Sequence, residues 1–265
     1  PRTYIEENNI RVVPLSVELD GNIEEESFPG DFDDYFKRLE NTDSFPKTSQ
    51  PPVGRFQEVY QELFEAGTER ILVIPFSSKL SGTYNSAKLA ADLLEDKDIV
   101  VVDTLTAVGI LSYMVKRAVE MVKDECDIEE ILSELETIKH NYNVDLTVDS
   151  LDYLKRGGRL TNIQAMLAGM LNIRPVISLD KGELVGNGKF RGRKKAIKEM
   201  LERVPEDPIK ISLQYVRNTE DALRLKEKLQ EKYSDAEIVL EELGPVIGSH
   251  LGPNALGICT VYREK

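Results

Sequence analysis

Continuous apolar runs alternate with helical patterns along the first half of the chain. Residues 71–76 and 99–103 have the sequences ILVIPF and IVVVD. Such runs are typical of strands that are buried on both faces of a parallel sheet. Apolar residues three and four positions apart predict helices over residues 32–39, 53–65, 82–94 and 107–122. The alternation predicts an α/β fold whose N-terminal half is a doubly wound, mainly parallel sheet.

Two further segments lie on either side of the first of these helices. Residues 10–19 are rich in β-branched side chains and are followed by Asp20 and Gly21, which predicts a strand that ends at a turn. Residues 45–52, FPKTSQPP, contain three prolines and predict an ordered loop.

The pattern changes near residue 145, where strands begin to follow one another across short turns such as Asp180-Lys181-Gly182. Strands are predicted over residues 144–148, 174–179, 183–190, 209–216, 236–243 and 258–263. Helices are predicted over residues 127–141, 151–156, 191–204 and 219–233. We therefore predict two domains, a Rossmann-like α/β domain over residues 1–144 and an α+β domain with a mixed or antiparallel sheet over residues 145–265.

One predicted helix has an unusual composition. It opens at Thr161, and over residues 163–171, which include Met166 and Met170, it has almost no polar face. A helix that is apolar all round is either buried on several sides or covers an apolar ligand.

Charge and cysteine content exclude several classes of protein. Lys and Arg number 34 and Asp and Glu 47, a net charge of −13, which disfavours nucleic acid as a partner because its phosphates would be repelled. The apolar runs are too short for a membrane span, and no stretch resembles a signal peptide. Cys126 and Cys259 make no disulfide framework, and with two histidines they make no zinc pattern. We expect a cytoplasmic protein without a metal.

The densest group of hydroxyls, residues 77–86, follows the 71–76 strand and opens a helix. Ligands of open α/β sheets lie beyond the carboxyl ends of the strands, and a helix N-terminus attracts anions. Ser81 could therefore bind an anion, or it could simply cap the helix. The number of hydroxyls, more than one cap needs, favours binding.

Four other groups are open to two interpretations each. Thr48 and Ser49 lie in the proline-fixed loop, and His250 lies in the glycine-flanked sequence GSHLGP; each could bind a ligand or make a structural hydrogen bond. Two basic clusters, at residues 155–159 and 189–195, could be local anion-binding surfaces or solvated helix ends. No dinucleotide fingerprint, phosphate-binding P-loop, nucleophile elbow or zinc-protease motif is present.

Six motifs occur in an order and spacing that resemble the DegV family of bacterial proteins, over essentially the whole chain. They are PKTSQPP, IPFSSKLSGTYNSA, YLKRGGRL, RPVISLDKGEL, KFRGRKKA and GSHLGPNALG. The resemblance implies a two-domain α/β fold with one long-chain fatty acid, such as palmitate, stearate or oleate, buried between the domains. It also implies a non-catalytic role as the acyl-carrying subunit that presents the carboxylate to a separate ATP-dependent fatty acid kinase.

The resemblance further assigns roles to individual residues. The expected carboxylate ligands are Thr48, Ser49, Ser81 and the Gly82 amide, with His250 nearby. Met166 and Met170 would line the acyl tunnel. The residues expected at the tunnel mouth or on the kinase-docking surface are Arg156, Arg159, Arg191 and Arg193.

Two other functions remain open on the sequence, an acyl hydrolase with Ser81 as nucleophile and His250 as base, and a sensor of another small carboxylate. We expect a monomer. Family members begin with a short strand and an Asp-Ser-Thr-like turn that this chain lacks before Pro1. We expect truncation or disorder of that segment rather than a divergent fold.

Overall fold

The structure is a computed structural model that describes residues 1–159, 173–217 and 219–263. Its helices are α1 (Arg2–Glu7), α2 (Asp33–Glu40), α3 (Val53–Glu65), α4 (Thr83–Asp92), α5 (Val108–Lys123), α6 (Ile128–His140), α7 (Asp152–Arg156), α8 (Arg193–Glu202), α9 (Thr219–Lys232) and α10 (Pro245–Leu251). Its strands are β1 (Ser16–Leu19), β2 (Asn22–Glu25), β3 (Lys47–Ser49), β4 (Arg70–Val73), β5 (Asp98–Val101), β6 (Tyr142–Thr147), β7 (Ile173–Asp180), β8 (Glu183–Arg191), β9 (Pro208–Tyr215), β10 (Glu237–Glu242) and β11 (Leu256–Tyr262).

A six-stranded mixed sheet forms the centre of the fold, in the order β10-β9-β11-β6-β7-β8. β10 and β9 are parallel, and the other neighbours pair antiparallel. The six strands predicted for the second half all overlap strands of this sheet, so the predicted mixed sheet is confirmed.

Helices cover both faces of this sheet, as two consecutive residues of β11 demonstrate. Ile258 packs with α8 and α9 in a cluster around Met200, which we call the Met200 cluster. Cys259 packs with α5 and α6 around Met114, in the Met114 cluster. Since successive side chains of a strand point to opposite faces, the two clusters lie on opposite sides of the sheet. A third cluster, the Phe36 cluster, joins α2 and β1 to β6 and α10.

The N-terminal half departs from the predicted doubly wound sheet. β4 and β5 are parallel, as predicted, but they form a two-stranded sheet of their own. β1 pairs antiparallel with β2 and with β3. The physical reason is the turn at Asp20 and Gly21, whose φ angles of 53° and 79° fold the chain back as a hairpin. Burial also alternates along β1, as in a strand with one packed face.

Four short elements were not predicted, namely α1, β2, β3 and α10. β3 lies within the segment predicted as a loop. Prolines argue against a strand, so the prolines beside these three residues led to the loop prediction. α10 has only seven residues and contains Gly248, and glycine has a low helix propensity, so no helix was predicted here. A Cβ at Gly248 would lie 2.4 Å from the Phe36 ring, so glycine allows α10 to pack this closely on α2.

The predicted domain boundary stays a prediction. It falls within β6, a central strand of the large sheet. α5 and α6 precede the boundary, yet they pack on strands that follow it. The apolar helix predicted over residues 163–171 lies outside the described residues. Within the ranges that the structure does describe, no helix is both long and apolar enough to cross a bilayer.

Candidate functional site

A cavity lies between the Phe36 and Met114 clusters. Its space, including the opening to solvent, is about 920 Å³. Leu146, Leu154 and Leu251 line it from the first cluster, and Val144 and Leu179 line it from the second. Of the described residues that line the cavity, thirteen are apolar and six are polar. The polar six are Thr48, Ser49, Gln50, Ser81, Arg159 and His250.

Three short elements bring the predicted polar residues together. Thr48 lies on β3, Ser81 lies two residues before the first residue of α4, and His250 is in the last turn of α10. Oγ1 of Thr48 and Nε2 of His250 are 2.9 Å apart, a hydrogen bond between residues 202 positions apart in the chain. The prediction that these segments meet at one site therefore agrees with the geometry.

Burial and charge hold the His250 ring neutral. Burial is the larger cause and the positive charge of Arg159 the second, and together they lower the pKa of His250 to about 4. Nδ1 of the ring is buried and has no hydrogen-bond partner among the described residues. A Cβ at Gly157 would lie 2.2 Å from Nδ1, so the glycine leaves room for the ring.

Ser81 makes a local contact at the start of α4, although Gly82 is the N-cap residue of that helix and no side chain caps it. Its Oγ accepts the Thr83 backbone N–H at 3.3 Å and lies 2.9 Å from the Thr83 hydroxyl. It also lines the cavity. Gly82 packs against Gln50, since a Cβ at Gly82 would lie 1.9 Å from Oε1 of Gln50. Nε2 of Gln50 in turn donates to Ser86 at 2.9 Å, which ties β3 to α4.

The other hydroxyls of the 77–86 segment hold the loop in place. Ser77 donates to the Gly182 carbonyl at 2.8 Å, and Ser78 donates to the Asp103 carboxylate at 2.5 Å. The hydroxyl density that suggested binding is therefore used partly for structure, and Ser81 is the serine of this segment that lines the cavity.

The four arginines expected at the mouth or the docking surface occupy different places. Arg159 lines the cavity, and its guanidinium donates to the Leu80 and Gly157 carbonyls at 3.3 and 2.6 Å. Arg156 is exposed, with its guanidinium 4.0 Å above the centre of the Phe45 ring. Arg191 is exposed at the end of β8.

Arg193 is instead part of an ion-pair network. Its Nε donates to Asp221 at 2.6 Å, and its Nη1 donates to the Asn254 carbonyl at 2.8 Å and lies 3.6 Å from Asp149. The predicted tunnel residues Met166 and Met170 lie outside the described residues.

Sequence reasoning missed the Gln50 side chain and did not anticipate that Arg159 acts on the histidine. Gln50 follows Thr48 and Ser49 directly, and its amide was not considered as a lining group. Arg159 was placed at the mouth or on the docking surface, but it lies beside the histidine. Its position after Gly157 and Gly158 was the available signal, because glycines allow a close backbone approach.

The fold and the site define a class of protein. A mixed α/β fold encloses an apolar cavity with hydroxyl, amide, imidazole and guanidinium groups on its wall, and such a cavity suits an amphipathic molecule with an anionic end. Among the residues that the structure describes, no group of three or more metal-ligating side chains could hold a metal ion.

The chain belongs to the DegV family, whose model, described as "Uncharacterised protein, DegV family", matches residues 1–263. A fatty acid-binding protein of Thermotoga maritima is 34% identical over 274 residues, which cover 100% of this chain and 95% of that protein. A solved structure described as showing fatty acid binding by a DegV family protein of Thermus thermophilus has a similar fold. It matches with a TM-score of 0.91 at 33% identity, over 99% of this chain and 95% of that one.

A more distant structure has the same fold. It is the fatty acid kinase B3 protein of Streptococcus pneumoniae loaded with linoleic acid, with a TM-score of 0.83 at 22% identity, over 95% of this chain and 90% of that one. The resemblance drawn from six sequence motifs is therefore confirmed at the level of the family.

The state of His250 leads to a prediction for NMR spectroscopy. The chain has two histidines, so two ring signals can be followed against pH. We expect the His250 signal to keep its neutral-ring shift down to about pH 5 and to titrate near pH 4. His140, 74% exposed on α6, is the internal comparison.

The lowered pKa of His250 also affects the stability of the fold. The unfolded histidine takes up a proton at about pH 6.5, above the folded value, so stability falls as pH drops from about 6.5 towards 4. The variant His250→Gln should lose less stability over this range than the wild type. A His250 signal that titrates near pH 6.5 would contradict this description of the site.

Proposed function

We propose that the protein binds one long-chain fatty acid, with the acyl chain in the cavity and the carboxylate at the Thr48–His250 hydrogen bond. The observation that carries the proposal is the cavity itself, whose described wall is mostly apolar and includes six polar residues. Relatives described as fatty-acid-binding proteins support the same ligand class.

Burial of the acyl chain would supply most of the affinity. Each buried methylene contributes about 0.8 kcal/mol, so a chain of roughly sixteen carbons contributes about 12 kcal/mol before costs. That exceeds an association cost of several kcal/mol. Palmitate, stearate and oleate are all within this range, and in this proposal Met166 and Met170 keep their predicted role in the acyl tunnel.

The head group would be held by hydrogen bonds and by one nearby charge. Thr48, Ser49 and Ser81 offer hydroxyl donors, and the Gly82 amide lies at the start of α4, where backbone N–H groups favour an anion. A neutral His250 can donate from one ring nitrogen. Arg159 adds a positive charge close to the ring, so the site favours the ionised carboxylate.

The hydrolase alternative has less support. A catalytic serine needs a histidine base that a third group orients. The ring of His250 is hydrogen-bonded to Thr48, and its other nitrogen has no described partner that could orient it. The sensor alternative would require a ligand without a long tail, which would leave most of this apolar wall unused.

We further propose that the protein presents its fatty acid to a separate ATP-dependent kinase subunit, which forms the acyl phosphate. The family resemblance supports this step, and the structure of a fatty acid kinase B3 protein has the same fold. Arg156 and Arg191 are exposed and could contact an acidic partner surface. In this proposal the protein is a cytoplasmic, monomeric carrier whose ligand lies between its two domains, and it catalyses no step itself.

Two conservative substitutions test the head-group site. Thr48→Val removes the hydroxyl and the His250 hydrogen bond but keeps the side-chain shape, and Ser81→Ala removes one donor. We expect each to weaken palmitate binding by about tenfold, the order expected for one lost hydrogen bond to a charged group. Calorimetric titration of delipidated protein measures this affinity, and thermal unfolding should remain close to that of the wild type.

Ser234→Ala is the matched control for Ser81→Ala, because Ser234 is exposed and its hydroxyl contacts the neighbouring Asp235. It should bind palmitate as the wild type does. If Thr48→Val and Ser81→Ala both keep the wild-type affinity, the carboxylate does not bind at this place.

The kinase step has its own test. The palmitate-loaded protein, mixed with a bacterial fatty acid kinase and Mg-ATP, should yield an acyl phosphate that hydroxylamine traps. Arg156→Glu and Arg191→Glu should lower the rate without lowering palmitate affinity. Arg263→Glu should change neither, since Arg263 is exposed and paired with Asp207. Palmitate binding without any acyl phosphate would leave the carrier proposal intact and contradict the kinase proposal.

A further inference from the structure

Helix α10 carries His250, yet it is too short to hold its own position. It has seven residues, and neither end has a capping side chain within the helix. Isolated helices of this length do not form in water, so contacts with the rest of the protein must set its place. Three polar contacts join it to the segment between residues 26 and 48, and they lie at its start, middle and end.

The contact at the start of α10 is made by a carboxylate that is distant in the sequence. Oε1 of Glu26, just after β2, accepts the Val246 backbone N–H at 2.7 Å. Gly244, the residue before the helix, leaves room for it, because a Cβ at Gly244 would lie 2.5 Å from the same oxygen. Glu26 thus takes the place of a helix cap, and its negative charge complements the positive end of the helix. The carboxylate is largely buried, and this burial raises the pKa of Glu26.

The other two contacts continue along the helix. The Tyr35 hydroxyl lies 2.5 Å from the Ser249 hydroxyl, which also donates to the Pro245 carbonyl at 2.6 Å. At the end of the helix, His250 meets Thr48. Thr48 itself pairs with Val17 of β1, and β1 also pairs with β2. The carboxylate of Glu26 and the hydroxyl of Thr48 therefore hold the two ends of α10 to one small sheet.

We propose that Glu26 is a positioning residue for the head-group site: by capping α10 from the small sheet, it sets the place of the His250 ring beside Thr48. The part of this inference that concerns ligand affinity rests on the proposed fatty-acid function. The part that concerns the position of α10 and His250 does not. Glu26 is not among the described residues that line the cavity, so its effect must pass through the helix.

Binding of two ligands with the same tail separates positioning from general stability. Palmitate has a carboxylate and 1-hexadecanol has a neutral hydroxyl. We expect Glu26→Ala to weaken palmitate binding by about tenfold, as for one misplaced hydrogen bond, and 1-hexadecanol binding much less. Glu26→Gln, which keeps an acceptor for the Val246 N–H, should restore part of the palmitate affinity.

A double-mutant cycle tests whether the effect passes through the histidine. In a His250→Ala background, Glu26→Ala should cause no further loss of palmitate affinity. Glu242→Ala is the matched control, because Glu242 also accepts a backbone N–H across the structure, that of Gly30 at 2.9 Å, and lies outside α10. The inference would be overturned if Glu26→Ala weakened the binding of both ligands equally. It would also be overturned if Glu26→Ala caused the same loss of palmitate affinity in the His250→Ala background as in the wild type.

A readout without ligand keeps the two proposals distinguishable. If the wild type binds neither palmitate nor 1-hexadecanol, the proposed function fails, and the His250 ring signal still tests the positioning. In Glu26→Ala or Glu26→Gln that signal should shift and titrate closer to pH 6.5, whereas in Glu242→Ala it should stay unchanged. An unchanged His250 signal in both Glu26 variants, folded by circular dichroism, would contradict the inference.

Discussion

The hydrogen bond between Thr48 and His250 is the interaction on which the site depends. It joins a three-residue strand to a seven-residue helix across 202 positions of the chain. Neither element is stable alone, so the bond exists only because the Phe36 cluster brings β1, α2 and α10 together. A polar site of this kind is costly inside an apolar cavity unless each group has a partner. The buried Nδ1 of His250 has no described partner, so the site can form one more hydrogen bond at this atom.

The cavity follows from how the two clusters pack. α5 and α6 cover one face of the large sheet, and α2 and α10 pack beside them on β6. Val108 and Leu184 contact both clusters, so the walls are fixed from two sides. Val108 has a φ of 47°, which is rare for a β-branched residue. Such strain persists only where neighbours fix the backbone.

The sequence predicts most long helices and strands of both halves well, and the strand pairing of the first half poorly. Long periodic helices such as α3 and α5, and the continuous runs in β4 and β5, carry local signals that tertiary contacts do not change. The antiparallel pairing of β1 depends on a hairpin turn whose partner strand, β2, has four exposed residues and no apolar pattern. β3 and α10 have no local signal of their own, and both are formed by contacts with distant residues.

The site was predictable in its residue types and less so in its roles. The family motifs indicated Thr48, Ser81 and His250, and the structure places these three residues on the wall of one cavity. Their partners depend on three-dimensional placement, so the use of Ser77 and Ser78 in holding the loop, and the position of Arg159 beside the ring, could not be inferred from spacing.

The most direct test of the central claim is mass spectrometry of an organic extract of the purified protein. The account predicts about one long-chain fatty acid per chain, or uptake of that amount by delipidated protein offered palmitate or oleate, as expected where tail burial dominates affinity. An extract free of lipid, together with no uptake of either fatty acid, would contradict it.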